Sequence, residues 1–143
     1  MFQSSIIINA PCNQLWQVLA DFEAYPKWNP FTVKVKGKLE PAAQIILYVA
    51  LSKNRLLPSP HKITELVPES LLSWAQLSPP RWLVCGIRHQ RLEAISESQT
   101  RYSNSFELTG PLAPLIQLLL GKSIARGFQE VELALKRYVE TSP

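Results

Sequence analysis

Histidine and cysteine are scarce, two of each in 143 residues, and their scarcity removes whole classes of chemistry. Cys12 and Cys85 are too few for the disulfide framework of a small secreted protein. No secretory leader is expected ahead of Ile6, so the reading is a reducing, cytoplasmic setting. His61 and His89 have no second His, Cys or carboxylate at metal-ligand spacing, so no metal and no other cofactor is expected. A serine hydrolase of the Gly-x-Ser-x-Gly type is excluded because that elbow does not occur. Gly121-Lys122-Ser123 looks like the end of a phosphate-binding loop, but Ile116 stands where the loop's first glycine belongs. Long apolar runs are lacking too. The most apolar stretch, Leu112 to Leu120, is interrupted by Pro114 and Gln117 and falls far short of the ~20 residues of a spanning helix. Charge of one sign is also modest. The net +4 is scattered apart from Lys34, Lys36 and Lys38, which alternate along one strand and read as a solvated sheet face. Without aromatic interleaving around them, no nucleic-acid partner is expected.

What is present is an ordinary globular composition, 46% hydrophobic and 18% charged, of a length suited to one domain over residues 1–143. Its clearest element is a helix from Leu112 to Glu140. Ile116, Leu120, Ile124, Phe128, Val131, Leu135 and Tyr138 recur at steps of three and four and stack on one face. Lys122, Arg126, Glu130, Glu132, Lys136 and Arg137 mark the opposite, solvated side. About 29 residues at ~1.5 Å each give a rod of about 44 Å, longer than a small sheet is wide, so the sheet must curl around it. Gly121 and Gly127 inside this helix mean either close packing or room left beside it.

Ahead of the helix, residues 2–9 read as a strand ended by Pro11, and a helix follows to about Asp21 or Ala24. Pro26 and Pro30 bar its continuation, making a corner in which Tyr25 and Trp28 seal the core or line a ligand entrance. A period of two then sets in. It gives a hairpin over Phe31 to Val49, a loop over Asn54 to Pro60, and strands at His61–Val67, Leu71–Leu77, Leu83–Ala94 and Thr100–Leu108, with a loop at Ser78–Arg81. Sequential hairpins imply an antiparallel sheet in an α+β fold.

Several stretches carry a resemblance: Ala10-Pro11 with Trp16, the run from Asp21 to Phe31, Leu72-Ser73-Trp74, Phe106 to Pro114, and Ala134-Leu135-Lys136. Together they resemble the START-like superfamily, also known as SRPBCC or helix-grip proteins, and within it the polyketide cyclase/dehydrase-like branch. The resemblance implies a curved seven-stranded antiparallel sheet wrapped around the C-terminal helix, with short helices between the first two strands and an apolar cavity between sheet and helix. The branch often reads Gly-x-His-x-Phe-x-Leu-Glu-Pro where this chain has Gly86-Ile87-Arg88-His89-Gln90-Arg91-Leu92-Glu93-Ala94. In that register Arg88, Gln90 and Leu92 face inward, as do Tyr102, Asn104, Phe106 and Leu108 on the next strand, and His89 faces out.

The expected ligand-binding set is therefore Trp28, Trp74, Arg88, Gln90, Tyr102, Asn104, Phe106, Ile124 and Phe128. Arg88 would orient a carboxylate, phosphate or keto oxygen of an otherwise apolar molecule, or else reach the cavity mouth or an internal acid such as Glu65. No catalytic set is evident. The leading expectation is binding of a hydrophobic small molecule such as a lipid, isoprenoid or polyketide-like compound. Two alternatives stand beside it: a cyclase or dehydratase using Arg88, His61 or Tyr102, and a protein or membrane contact through loops bearing Leu56, Leu57 and Trp82.

Overall fold

The protein is described by a computed structural model covering residues 2–52, 55–77 and 82–141. Its strands are β1 (Phe2–Ile8), β2 (Thr32–Lys36), β3 (Gln44–Ser52), β4 (Arg55–Val67), β5 (Leu71–Gln76), β6 (Cys85–Ala94) and β7 (Thr100–Thr109). They form one curved antiparallel sheet in the order β1-β7-β6-β5-β4-β3-β2. Between β1 and β2 lie α1 (Cys12–Ala20), a 3₁₀ turn (Phe22–Ala24) and α2 (Tyr25–Trp28); α3 (Ala113–Thr141) closes the chain. This is the helix-grip architecture.

Two corrections concern proline. Pro26 does not stop a helix but opens one, sitting in the first turn of α2, where a missing N–H costs nothing. The expected loop over Asn54 to Pro60 is instead the first half of β4; Asn54 itself and the Ser78–Arg81 loop lie outside the described residues. Pro58 and Pro60 fit there because β5 ends opposite His61, leaving the first half of β4 paired with β3 alone. The Pro60 carbonyl accepts from Leu77 N at 2.9 Å, on the side away from β3. Its nitrogen faces that side as well, as does that of Pro58 two residues earlier, so neither is asked to donate to β3.

The core lies where the second half of α3 meets the sheet. Val131, Leu135 and Val139 pack with Ile8, Leu92 and Tyr102 and with Leu15 and Leu19 of α1. The first half differs from the sequence reading. No residue from Pro114 to Leu120 is buried, and Leu120, expected inside, is exposed. Glu132 is also misassigned: it is buried rather than solvated, for reasons given by its partners below. The helix glycines are close-packing positions. A Cβ on Gly127 would stand 2.5 Å from two ring carbons of Phe31, and one on Gly121 would stand 3.1 Å from the Phe2 ring.

Candidate functional site

Alternation along β6 and β7 places Arg88, Gln90, Tyr102 and Asn104 in the interior, where each must find partners. Arg88 is only 4% exposed, facing Trp74 across the pair with β5 and Phe106 across the pair with β7. Its Nε and Nη2 both donate to Asn104 Oδ1, at 3.1 and 2.8 Å. The guanidinium also lies 4.5 Å from the centre of the Phe128 ring and 5.8 Å from that of Trp74. Asn104 turns its amide nitrogen to Glu132 Oε2 at 3.5 Å, and the same oxygen accepts from Ser4 Oγ at 2.8 Å. Glu132 is thus buried because β1, β7 and α3 meet on it. Tyr102 donates to Gln90 Oε1 at 2.7 Å, leaving Gln90 Nε2 buried with no partner among the described residues.

A cavity of about 170 Å³ opens beside this network. Arg88, His61, Ser59, Thr32 and Gln76 supply its polar wall; Phe31, Leu47, Val49, Leu57, Trp74, Phe106, Ile124 and Phe128 supply the apolar one. Five of the nine expected residues therefore meet at one space: Trp74, Arg88, Phe106, Ile124 and Phe128. Gln90, Tyr102 and Asn104 do not line it. They form the polar layer that holds Arg88 from behind. Trp28 is elsewhere, stacked on Tyr138 with ring centres 6.3 Å apart and against Tyr25 at 5.2 Å, where it seals part of the core. Glu65 does not reach Arg88 either; it approaches His89 Nδ1 at 3.9 Å on the outer face. Ser73 Oγ bonds that same nitrogen at 2.6 Å, so Ser73, His89 and Glu65 do not form a relay through the two ring nitrogens, and Ser73 is fully buried.

Sequence reasoning missed Phe31, Leu47, Val49 and Ser59 as cavity residues and put Leu57 in a loop. The inward parity of β3 could have found Leu47 and Val49. His61 is positioned by its backbone: Nδ1 lies 3.0 Å from the Ser59 carbonyl, which can only accept, so Nδ1 carries the hydrogen and Nε2 keeps its lone pair. Burial first, and then the Arg88 charge, hold the His61 pKa below its ordinary value, against the Ser59 bond, which raises it. Burial likewise pushes Tyr102 up, so the phenol stays protonated. Among the described residues, no three His, Cys, Asp or Glu side chains are grouped to hold a metal.

Burial raises the Glu132 carboxyl above its ordinary value; the bonds from Ser4 and Asn104 and the Arg88 charge only partly offset this. The folded protein therefore holds this proton more tightly than the unfolded chain. Its contribution to stability is complete below the ordinary carboxylate range and is lost as pH rises through the raised value. Glu132→Gln, which keeps an acceptor for Ser4 and Asn104, is expected to gain stability relative to the parent as pH climbs from 4 to 8. Urea unfolding across that range measures the difference; a constant offset would mean that Glu132 titrates normally.

Similarity to known proteins agrees with this geometry. Zhui, an aromatase/cyclase from Streptomyces sp. R1128, superposes with a TM-score of 0.76 at 17% identity, over 97% of this chain and 92% of its own. The di-domain ARO/CYC BexL from the BE-7585A biosynthetic pathway gives 0.81 at 17% identity, over 99% of this chain and 47% of its own, so this chain corresponds to about half of it. Ara h 8.0201 gives 0.70 at 17% identity, over 99% and 97%. At such identities these likenesses show the fold alone. No curated protein matches by sequence. The sequence model of one family does match, over residues 1–140, and by it this helix-grip chain belongs to the polyketide cyclase / dehydrase and lipid transport family.

Proposed function

We propose that this protein binds a hydrophobic small molecule in the cavity between sheet and α3, with Arg88 receiving its one polar oxygen group. The observation that carries the reading is a buried cation on the wall of an otherwise largely apolar space. Arg88 spends Nε and Nη2 on the single Asn104 oxygen, which leaves donor capacity on its guanidinium for a ligand. A carboxylate, phosphate or keto oxygen would supply the acceptor, while Phe31, Phe106, Ile124 and Phe128 take the apolar body. The volume limits what fits. A dry site of ~150 Å³ holds a single benzene ring, so the cavity as it stands takes one ring or a short branched chain. A longer isoprenoid, lipid or polyketide-like ligand would extend out past Leu57. The family's description, which joins cyclase and lipid-transport proteins, supports an apolar ligand, and the two unpaired cysteines suit a cytoplasmic setting.

Native mass spectrometry of the purified protein beside its denatured mass tests occupancy without a guess at identity. A mass excess lost on denaturation is the expected result. Once a ligand is extracted, Arg88→Leu is expected to weaken its binding by about tenfold or more, the loss of one charge-assisted hydrogen bond worth ~1.5–3 kcal/mol. Phe128→Trp should weaken it by filling the space. Parent-like titrations from both variants would remove these residues from the site.

A second reading rests on His61. Its unprotonated Nε2, on a ring held neutral at pH 7 beside a guanidinium that can stabilise an enolate, suits the proton transfer of a cyclase or dehydratase. A ligand recovered chemically unchanged after incubation decides against it.

A further inference from the structure

The start of α3 is apolar apart from Gln117, yet most of it is exposed, with only Ala113 and Gly121 buried. Leu118 and Leu119 are 80% and 67% exposed, and Leu115 and Leu120 are about half exposed. Leucines gathered on an outward helix face call for a covering surface of protein or lipid. Steps of three and four put Leu115, Leu118, Leu119, Lys122 and Arg126 on one outward stripe, opposite the Ile124 and Phe128 side that lines the cavity. The turn at Trp82, itself 74% exposed, is tied to this helix start because the Leu83 carbonyl accepts from Leu112 N at 3.0 Å. Exposed Leu56 and Leu57 stand at the start of β4, and Leu57 is also on the cavity wall. Leucines and a tryptophan thus gather at the end of the sheet where the cavity opens.

Positive charge prevails there, the nearest acid on α3 being Glu130, one turn beyond Arg126. The sequence holds no Asp or Glu from Pro41 to Thr64, from Leu71 to Leu92, or from Gly110 to Gln129, the three segments that supply this end. Arg55, Lys122 and Arg126 are exposed on it. The nearest acid along β7, Glu107, alternates with inward Phe106 and so belongs to the outer sheet face. A second copy related by a two-fold axis would set these cations against themselves, whereas an anionic bilayer accepts both features.

We propose that this end of the molecule is a peripheral docking site for an anionic membrane surface, with Leu115, Leu118, Leu119 and Trp82 entering the acyl boundary and Lys122, Arg126 and Arg55 meeting lipid phosphates. No helix among the described residues is long and apolar enough to cross a bilayer, so the contact is superficial. Docking would place the cavity mouth against lipid, so an apolar ligand would pass without crossing water. The inference goes beyond the ligand reading and stands independently of it: an empty cavity leaves the vesicle result unchanged.

Flotation of the full chain with vesicles of phosphatidylcholine, alone or mixed with phosphatidylserine, tests it. The parent is expected to float with mixed vesicles and to come off as salt rises. Lys122→Gln with Arg126→Gln should lose about thirtyfold in partitioning to mixed vesicles, from ~1 kcal/mol per cation. Leu118→Asp with Leu119→Asp should abolish flotation, while Leu133→Asp, also exposed but farther along the helix, should not. A parent that never floats, or a Leu118/Leu119 variant that floats as well as the parent, would overturn the proposal. So would a parent dimer, indifferent to vesicles, that the same variant makes monomeric.

Discussion

Replacing Asn104 with leucine is expected to cost about 3–5 kcal/mol, while replacing Arg88 with methionine should be close to neutral or stabilising. The two residues form one buried pair, yet their losses are unequal. Asn104 Oδ1 is the close hydrogen-bond acceptor for the Arg88 guanidinium, at 2.8 and 3.1 Å, with the Tyr102 hydroxyl a weaker neighbour. Remove it and a cation that is 4% exposed keeps its charge but loses its partner. Glu132 then loses the Asn104 amide and keeps only Ser4. Remove Arg88 instead and the uncompensated charge goes with it. Methionine fills much of the same space against Trp74 and Phe128, and Asn104 Oδ1 retains a long contact of 3.4 Å from the Tyr102 hydroxyl. The double variant should be more stable than Asn104→Leu alone. Urea unfolding of the four proteins closes the cycle, and the coupling read from it should exceed ~1 kcal/mol. An Asn104→Leu variant as stable as the parent would mean that water reaches the guanidinium through the cavity. Because Arg88→Met is expected to fold, a loss of ligand in it reports recognition rather than collapse.

The inward register of β6 and β7 was legible because polar residues alternate there with residues whose chemistry allows either face. Arg88, Gln90 and Asn104 came out inside because the resemblance fixed the parity, and strand parity then does the rest. What could not be read was depth. Alternation says which side of the sheet a residue takes, not whether it reaches the cavity or stops in a layer behind it; Gln90, Tyr102 and Asn104 stop short because they bond one another and Arg88 first. Trp28 stands apart from this cavity for a related reason. Its corner is set by two prolines and by contact with Tyr138, more than a hundred residues away, which no local pattern encodes. Glu132 carries the same lesson: a glutamate on a helix reads as solvated until a serine from the first strand and an asparagine from the last are brought to it.

Leu135→Ala should cost about 2–5 kcal/mol, whereas Leu118→Ala, on the same helix, should change stability by less than ~0.5 kcal/mol. Periodicity alone extends one apolar face along the helix from Ile116 to Tyr138 and gives no reason to treat its two halves differently. The structure separates them by what stands opposite. Leu135 is fully buried among Ile8, Leu15 and Tyr102, so truncation removes its transfer energy and leaves a void that a rigid sheet cannot close. Leu118 is 80% exposed, so its loss leaves nothing empty. A 29-residue rod outruns the sheet that grips it, and apolar residues beyond that grip make no contribution to folding that a denaturation curve would register. Urea midpoints for the two variants, read with unchanged slopes, measure the contrast directly. A Leu118→Ala variant destabilised as much as Leu135→Ala would place the first turns of α3 against a covering surface in the free protein. The expected near-zero effect instead leaves those leucines available to lipid, so the same substitution that is silent in unfolding should weaken flotation.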